Sequence, residues 1–236
     1  MILSATAEKA LNAYGGSELW HNSKYIEAEV SVKGLAFVLK RRPFFNRAKI
    51  FAEVHRPYSR LTPIADDSSV AGVLVGHDAH LENPQGESIA ERREARQYFS
   101  SLRRMILWDD LDMAYFANYA FWNYFSLPAL LMRTDILWIE IIPGSLEAKF
   151  PESIPTHSPF QQFMFNNQTG LLVQHNYTAE IMSRFAKAAN VVIDHSENNG
   201  LVYPSVRRVT PRGLKGEPFK YPVLIDIEVH DFRLVN

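Results

Sequence analysis

The sequence predicts a mainly β (α+β) fold: a strongly curved antiparallel sheet or unclosed β-barrel, with an aromatic-rich helix covering or plugging the concave face. Three observations carry that expectation. Segments in which apolar and polar residues alternate, each bounded by turn signals, recur through most of the chain. They number roughly a dozen, too many for a flat sheet, so the sheet has to curl. Residues 108–132, WDDLDMAYFANYAFWNYFSLPALLM, then break the pattern: no charged residue appears between Asp112 and Arg133, and seven aromatic rings crowd into residues 115–125. A helix apolar on nearly every side is buried in a core or a membrane. Asn118, Asn123, Ser126 and Pro128 interrupt this one, and its Tyr and Trp residues favour an apolar body with a hydrogen-bonded tip. The expectation is therefore an internal helix, either packed as core or lining a cavity, with membrane contact not expected.

The bounds agree. A chain of 236 residues without a Gly/Ser linker or repeat suits one domain, 1–236, with 105–132 as a helical lid or plug inserted between two runs of strands. With 47% hydrophobic and 22% charged residues, a core forms without staples. A net charge of -1 gives no footprint for nucleic acid, and the short groups Lys40-Arg41-Arg42 and Arg207-Arg208 read as solvated. The absence of cysteine removes disulfides, thiolate chemistry and thiolate-bound zinc. The first residues lack the basic and apolar regions of a secretory signal, so a cytoplasmic location is expected.

Taken in order, Ser4 caps a helix whose Ala7, Ala10, Leu11 and Tyr14 recur at helical spacing, and Gly15-Gly16 ends it. Trp20 leads into strands. Ile26, Ala28, Val30 and Val32 alternate with Glu27, Glu29, Ser31 and Lys33, a strand with one wet face. Lys33-Gly34 reads as a turn after which 35–40 pairs back, and 47–55 repeats the alternation through Ala48, Ile50, Ala52 and Val54. Pro57 and Pro63 frame a short strand, and 70–75, 78–82 and 88–90 form a meander through the turn Asn83-Pro84-Gln85-Gly86. The charged segment 91–104, with Tyr98, Phe99 and Leu102 on one stripe, is expected as an amphipathic helix leading to the aromatic one, which Pro128 kinks or ends. Strands resume at 136–142, 146–150, 162–165, 171–179, 189–195, 201–209 and 223–229, joined by turns at Pro143-Gly144, 166–170 and Asn198-Asn199-Gly200.

Gln162-Phe163-Met164-Phe165 followed by Asn166-Asn167-Gln168-Thr169-Gly170-Leu171-Leu172 resembles the strand, turn and strand of bacterial lipoprotein-carrier proteins of the LolA/LolB type. Asn199-Gly200-Leu201-Val202-Tyr203-Pro204 resembles the hairpin before their late strands. The resemblance implies an unclosed antiparallel barrel whose hydrophobic concave side is covered by helices and holds lipid. Tyr14-Gly15-Gly16 with Trp20, the block from Trp108 to Tyr124, and Thr156-His157-Ser158 look instead like an uncharacterised bacterial family.

No nucleotide loop, dinucleotide fingerprint or nucleophile elbow is present, and no cofactor is expected. Metal binding is not expected either. His77 and His80 sit three apart on a strand pattern and point to opposite faces, and Asp109, Asp110 and Asp112 suit the positive end of a helix. His175 and Tyr177 share a strand face with Leu171 and Val173, and His195 shares one with Val191 and Ile193, so an imidazole, a phenol and a second imidazole are candidates to line one pocket. They are the candidate catalytic residues, since imidazole titrates near neutral pH; the plainer reading is hydrogen-bonded buried polar groups. Candidate ligand-binding residues are Trp108, Tyr115, Phe116, Tyr119 and Trp122, with His157 from a loop bounded by Pro155 and Pro159. Three functions stand open on the sequence: binding a hydrophobic small molecule or acyl chain between sheet and helix, a cofactor-independent isomerase or cyclase acting on an apolar metabolite there, or an interaction protein with the helix at a partner or homodimer seam.

Overall fold

The alternating segments join one antiparallel sheet. A computed structural model describes residues 3–65 and 69–236; Met1, Ile2 and residues 66–68, which the one-domain expectation includes, lie outside the described residues. Among the described residues there are thirteen strands: β1 (Tyr25–Lys33), β2 (Phe45–Glu53), β3 (Tyr58–Thr62), β4 (Ala71–Val75), β5 (Asp78–Glu82), β6 (Ser88–Arg92), β7 (Leu137–Ile142), β8 (Ser145–Lys149), β9 (Phe160–Phe165), β10 (Leu172–Thr178), β11 (Lys187–Asn198), β12 (Leu201–Pro211) and β13 (Ile225–Val235). Their order is β6-β5-β4-β3-β2-β1-β13-β12-β11-β10-β9-β8-β7. The chain starts mid-sheet, steps out to the β6 edge, crosses to the β7 edge and steps back to lay β13 beside β1. The inward residues are those the alternation names, with Ile26, Val30, Ala48, Ile50 and Ala52 all buried. Register shifts interrupt β1, β10 and β11, and such bulges add twist and bend to a sheet. The result is the expected curved, unclosed half-barrel.

Three expectations for the first half need correction. Residues 35–40 do not pair with β1, because both edges of β1 are already taken by β2 and β13; they form α3 (Leu35–Lys40). Gly34 starts that helix at a φ of 143°, where an added Cβ would lie 2.3 Å from the Leu224 carbonyl oxygen, so only glycine lets the chain turn against the end of β13. Trp20 belongs to another short helix, α2 (Ser17–Asn22), which follows α1 (Ala5–Ala13) with its Ser4 cap. Residues 91–104 are not one amphipathic helix. β6 runs through Arg92, a 3₁₀ turn spans Ala95–Ser100, and α4 covers Leu102–Ile106. Of its expected stripe only Phe99 is buried, while Tyr98 and Leu102 face out.

The crossover carries α5 (Asp110–Phe125) and α6 (Leu127–Leu131). Asp109 caps α5 and forms a capping box with Asp112, as carboxylates at a helix start are expected to. Arg92 pairs with Asp109 at 2.8 Å and Asp112 at 2.6 Å, and Arg104 reaches Asp112 at 2.6 Å, so the last residue of β6 clamps the helix entrance. Burial opposes the Asp109 charge, but the Arg92 hydrogen bonds and the Asp112 amide outweigh it and hold the carboxyl below its usual range. Every residue from Asp112 to Phe125 is buried. The helix touches both halves of the sheet: Asn118 Nδ2 donates to the Gly72 carbonyl on β4, and Phe125 packs edge-on against Phe232 on β13. A Cβ on Gly72 would come within 2.8 Å of Ala114, so the close docking requires glycine there. No helix among the described residues is long and apolar enough to cross a membrane.

Trp122 shows how the rings serve the core. It is fully buried, and its Nε1 donates to the Glu53 carbonyl at 2.8 Å, pinning α5 to the end of β2. Replacing Trp122 by Ala should cost about 3–5 kcal/mol, read as a lower denaturation midpoint at unchanged slope; a loss below about 1 kcal/mol would show that the site is not packed.

Candidate functional site

Paired residues of adjacent strands point to the same face, so the register lays out the floor beneath α5 in rows. Tyr177, Ala188 and Pro211 make one row; His175, Asn190, Val209 and Ile225 the next; Val192, Arg207 and Ile227 the third. Between these strands, α5 and the α3–α4 pair lies a cavity of about 470 Å³. Phe116, Val209, Ile225 and Met182 supply apolar walls, and His157 and Tyr177 also border it. Leu39, Met105, Ile106 and Phe185 line it too and are exposed, so they mark its mouth.

The polar groups form a chain. Tyr119 Oη lies 3.1 Å from His157 Nδ1, Tyr124 Oη lies 2.8 Å from His157 Nε2, and Tyr124 and Tyr177 share a hydrogen bond of 2.9 Å. The His157 and Tyr177 rings stack at 3.8 Å. A neutral imidazole donates from one nitrogen and accepts at the other, so one tyrosine receives its proton and the other supplies one. Burial first, and the Arg96 charge second, lower the His157 pKa to about 3. Burial also drives the Tyr119 and Tyr177 hydroxyls well above 10. Near neutral pH the chain is uncharged. The loop that offers His157 is held by Arg96, which donates to the Thr156 carbonyl at 2.6 Å and the His157 carbonyl at 3.2 Å.

Arg207 stands at the inner end, 1% exposed. Pro128 has no amide to return to the Tyr124 carbonyl; Arg207 Nη2 takes that acceptor at 3.5 Å, with its guanidinium over the Tyr124 ring at 5.1 Å. Its Nε and Nη1, and both amide atoms of Asn190, have no hydrogen-bond partner. Asn190 does approach the Tyr124 hydroxyl closely enough to help hold down a pKa that burial raises, but without hydrogen-bond geometry. Burial lowers the Arg207 pKa, and an incompletely compensated buried cation opposes folding.

The sequence candidates fall into distinct places. Phe116, His157 and Tyr177 line the cavity together. Tyr119 stands behind them through His157, and Trp108 packs edge-on against Phe99 and Phe116. Tyr115 packs between Phe99 and Tyr119, while Trp122 is pinned to β2. His175 is buried beside Tyr177, but its Nε2 is bonded to Gln161 Oε1 at 2.5 Å and its ring stacks on Phe163. The expected company of His175 and Tyr177 is corrected: a register shift between Leu172 and Gln174 turns Val173 outward, so Leu172 precedes them in the interior. His195 likewise does not follow Ile193. Two shifts in β11 leave Ile193 exposed, and His195 Nε2 meets Tyr14 Oη at 3.1 Å, away from the cavity.

His77 and His80 do not share one strand as the sequence pattern predicts: His77 sits in the turn between β4 and β5, against the Glu152 carbonyl, and His80 lies on β5 beside Glu82. No cluster of metal-ligating side chains occurs among the described residues. Lys40 and Arg207, expected in solvent, are buried. Tyr124, Gln161 and Asn190 were not anticipated; the alternation of β12 and the i, i+4 relation of Pro128 to Tyr124 were the available signals for Arg207 and its acceptor.

An open antiparallel half-barrel wrapped on an internal helix, with an apolar cavity at one end, is the class that fold and site define. No family model matches the sequence, and no curated protein matches it. Among solved structures, a LolA superfamily protein from Nitrosomonas europaea superposes with a TM-score of 0.52 at 11% identity, over 100% of this chain and 95% of that one. A DUF1329 family protein from Desulfovibrio piger superposes with a TM-score of 0.50 at 14% identity, over 98% of this chain and 92% of that one. The chain therefore shares the LolA superfamily fold, as its late hairpins suggested.

The buried histidines make stability depend on pH. Unfolded histidine titrates near pH 6.5, whereas folded His157 titrates at about 3 and His175 is lowered well below its usual value, mainly by burial. In that window the unfolded chain binds the extra protons, so this stability is complete above about pH 6.5 and is lost as the pH falls, for His157 by about 1.4 kcal/mol per pH unit down to about pH 3 and for His175 in the same direction. Denaturant titrations across the range should show the decline, and His157→Gln should make it shallower. A flat wild-type profile from about pH 6.5 to 4 would contradict the neutral, buried assignment.

Proposed function

We propose that the protein binds an elongated hydrophobic small molecule, of the acyl-chain class, in the cavity between α5 and strands β10 to β13. The carrying observation is the cavity itself: about 470 Å³, walled largely by apolar side chains and open through exposed apolar residues. That volume is in the usual range for small-molecule sites. The shared fold is compatible with this reading but does not name a ligand.

The isomerase or cyclase reading has less support. A general base needs a free lone pair near neutral pH, and both His157 nitrogens are engaged by tyrosines. His175 donates from Nε2 to Gln161 Oε1 and is not among the residues that line the cavity, and His195 lies elsewhere. The Tyr177 hydroxyl, its pKa raised by burial, stays protonated near neutral pH and is shared with Tyr124.

Two substitutions separate cavity from core. Ala188→Trp should fill the cavity and abolish binding of an apolar fluorescent dye while the protein remains folded. Phe116→Ala should cost only about 1–2 kcal/mol, because one side of the ring faces a void, yet change dye affinity strongly. No dye binding by the wild type, or unchanged binding by Ala188→Trp, would overturn the reading.

A further inference from the structure

The mouth of the cavity carries a surface that ligand binding does not require. In α3, Leu35, Val38 and Leu39 are spaced i, i+3, i+4, and all three are exposed. In α4, Leu102, Met105 and Ile106 repeat the spacing, with Leu102 82% exposed. Side chains so spaced share one helix face. The two helices are tied together: the Lys40 ammonium at the end of α3 donates to the carbonyls of Arg104 at 3.0 Å and Met105 at 2.7 Å in α4. Phe185, 75% exposed, lies on another segment lining the mouth. Soluble proteins seldom leave large apolar side chains grouped in this way without a partner.

Charge identifies the partner. Segments 35–44, 100–107 and 181–188 contain Lys40, Arg41, Arg42, Arg103, Arg104, Arg184 and Lys187 and no acidic residue, in a chain of net charge -1. Arg42 and Arg104 are spent on Asp110 and Asp112. Arg41, Arg103, Arg184 and Lys187 are exposed, and none of them forms an ion pair among the described residues. A protein partner with a matching apolar face would need its own acidic rim. An anionic bilayer offers both features at once, an acyl interior for the apolar stripes and headgroup phosphates for the cations.

We propose that this face docks on the surface of an anionic membrane, with α3, α4 and Phe185 set into the headgroup region and the cavity mouth turned toward the lipid. The contact is peripheral and spans nothing. It reverses the expectation of no membrane contact, which was drawn from the aromatic helix; that helix is buried, and the docking face is formed by two short helices beside it. The docking does not depend on whether the cavity is filled, so it is tested without a ligand.

The test is co-sedimentation of the full chain with vesicles of phosphatidylcholine, with and without phosphatidylglycerol, at low and high salt. The wild type should pellet with the phosphatidylglycerol vesicles, and pellet less as salt rises. Changing Arg41, Arg103 and Arg184 together to Gln should lower partitioning by about fivefold per arginine. Leu102→Asp should lower it at all salt concentrations. Leu214→Asp, on a loop held against the outer side of β10 by the hydrogen bond from Gln174 to the Gly216 carbonyl, should leave it unchanged. The proposal is overturned if the wild type does not pellet, or if neither mouth variant changes pelleting. It is also overturned if light scattering shows that the face is closed by a second copy of the chain, which Leu102→Asp releases. Failure here would leave the dye-binding result standing, so the two readings are judged separately.

Discussion

The structure depends on burying one helix in which every residue from Asp112 to Phe125 is shielded from solvent. The strand order leaves β6 and β7 at opposite edges, so the connection between them has to traverse the sheet. It does so as α5, packed against strands of both halves. A helix in that position satisfies its own backbone, but the tips of its side chains enter a dry interior where an unpaired polar atom costs about 1–3 kcal/mol. Local pairing meets most of this cost: Asn118 donates to Gly72, Asn123 to the Pro155 carbonyl and Trp122 to Glu53, and Tyr119 and Tyr124 bond the two nitrogens of His157, while Tyr115 Oη and the Oδ1 atoms of Asn118 and Asn123 have no hydrogen-bond partner. These bonds set the height and rotation of the helix, and with them the space left beneath it.

That space is uneven. Toward the β1–β5 side, α5 approaches closely enough to require Gly72. Toward β10 to β13 the gap is wider. The tyrosine–histidine chain spans part of it, and the rest is the cavity. A core built only for stability would close such a gap, since voids in a core cost contact energy. It would also not bury Arg207 with two unpartnered nitrogens. Both features oppose folding, although Arg207 borders a separate small pocket beside Tyr124 and Phe125 and not the cavity itself.

Most of the sheet was legible because period-two alternation is a local property, and positions such as Ile26, Val30, Ala48 and Ile50 carry it without ambiguity. The turns at Gly144, Gly170 and Asn199-Gly200 were legible for a different reason: their positive φ values restrict which residues fit. Residues 35–40 failed because a short, uniformly apolar run does not distinguish strand from helix, and the deciding fact, that β13 takes the other edge of β1, comes from the far end of the chain. The site was half legible. Phe116, His157 and Tyr177 were named for their residue types and patterns, but their meeting depends on strand order. Val173 and Ile193 turned outward because bulges shift the alternation by one residue. Arg207 and Arg208 alternate faces in the sequence, with solvent as the default for both; with Tyr203, Ser205 and Val209 inward along β12, it is Arg207 that is buried.

The central claim is that the space under α5 is kept for an apolar molecule. Native mass spectrometry of the protein purified without detergent, followed by organic extraction of the same sample, addresses it most directly. The account predicts a population carrying one added small mass that disappears on denaturation and reappears in the organic phase as an amphiphile or hydrocarbon. A spectrum of the bare chain alone, with an empty extract and no uptake of added long-chain lipid, would contradict it.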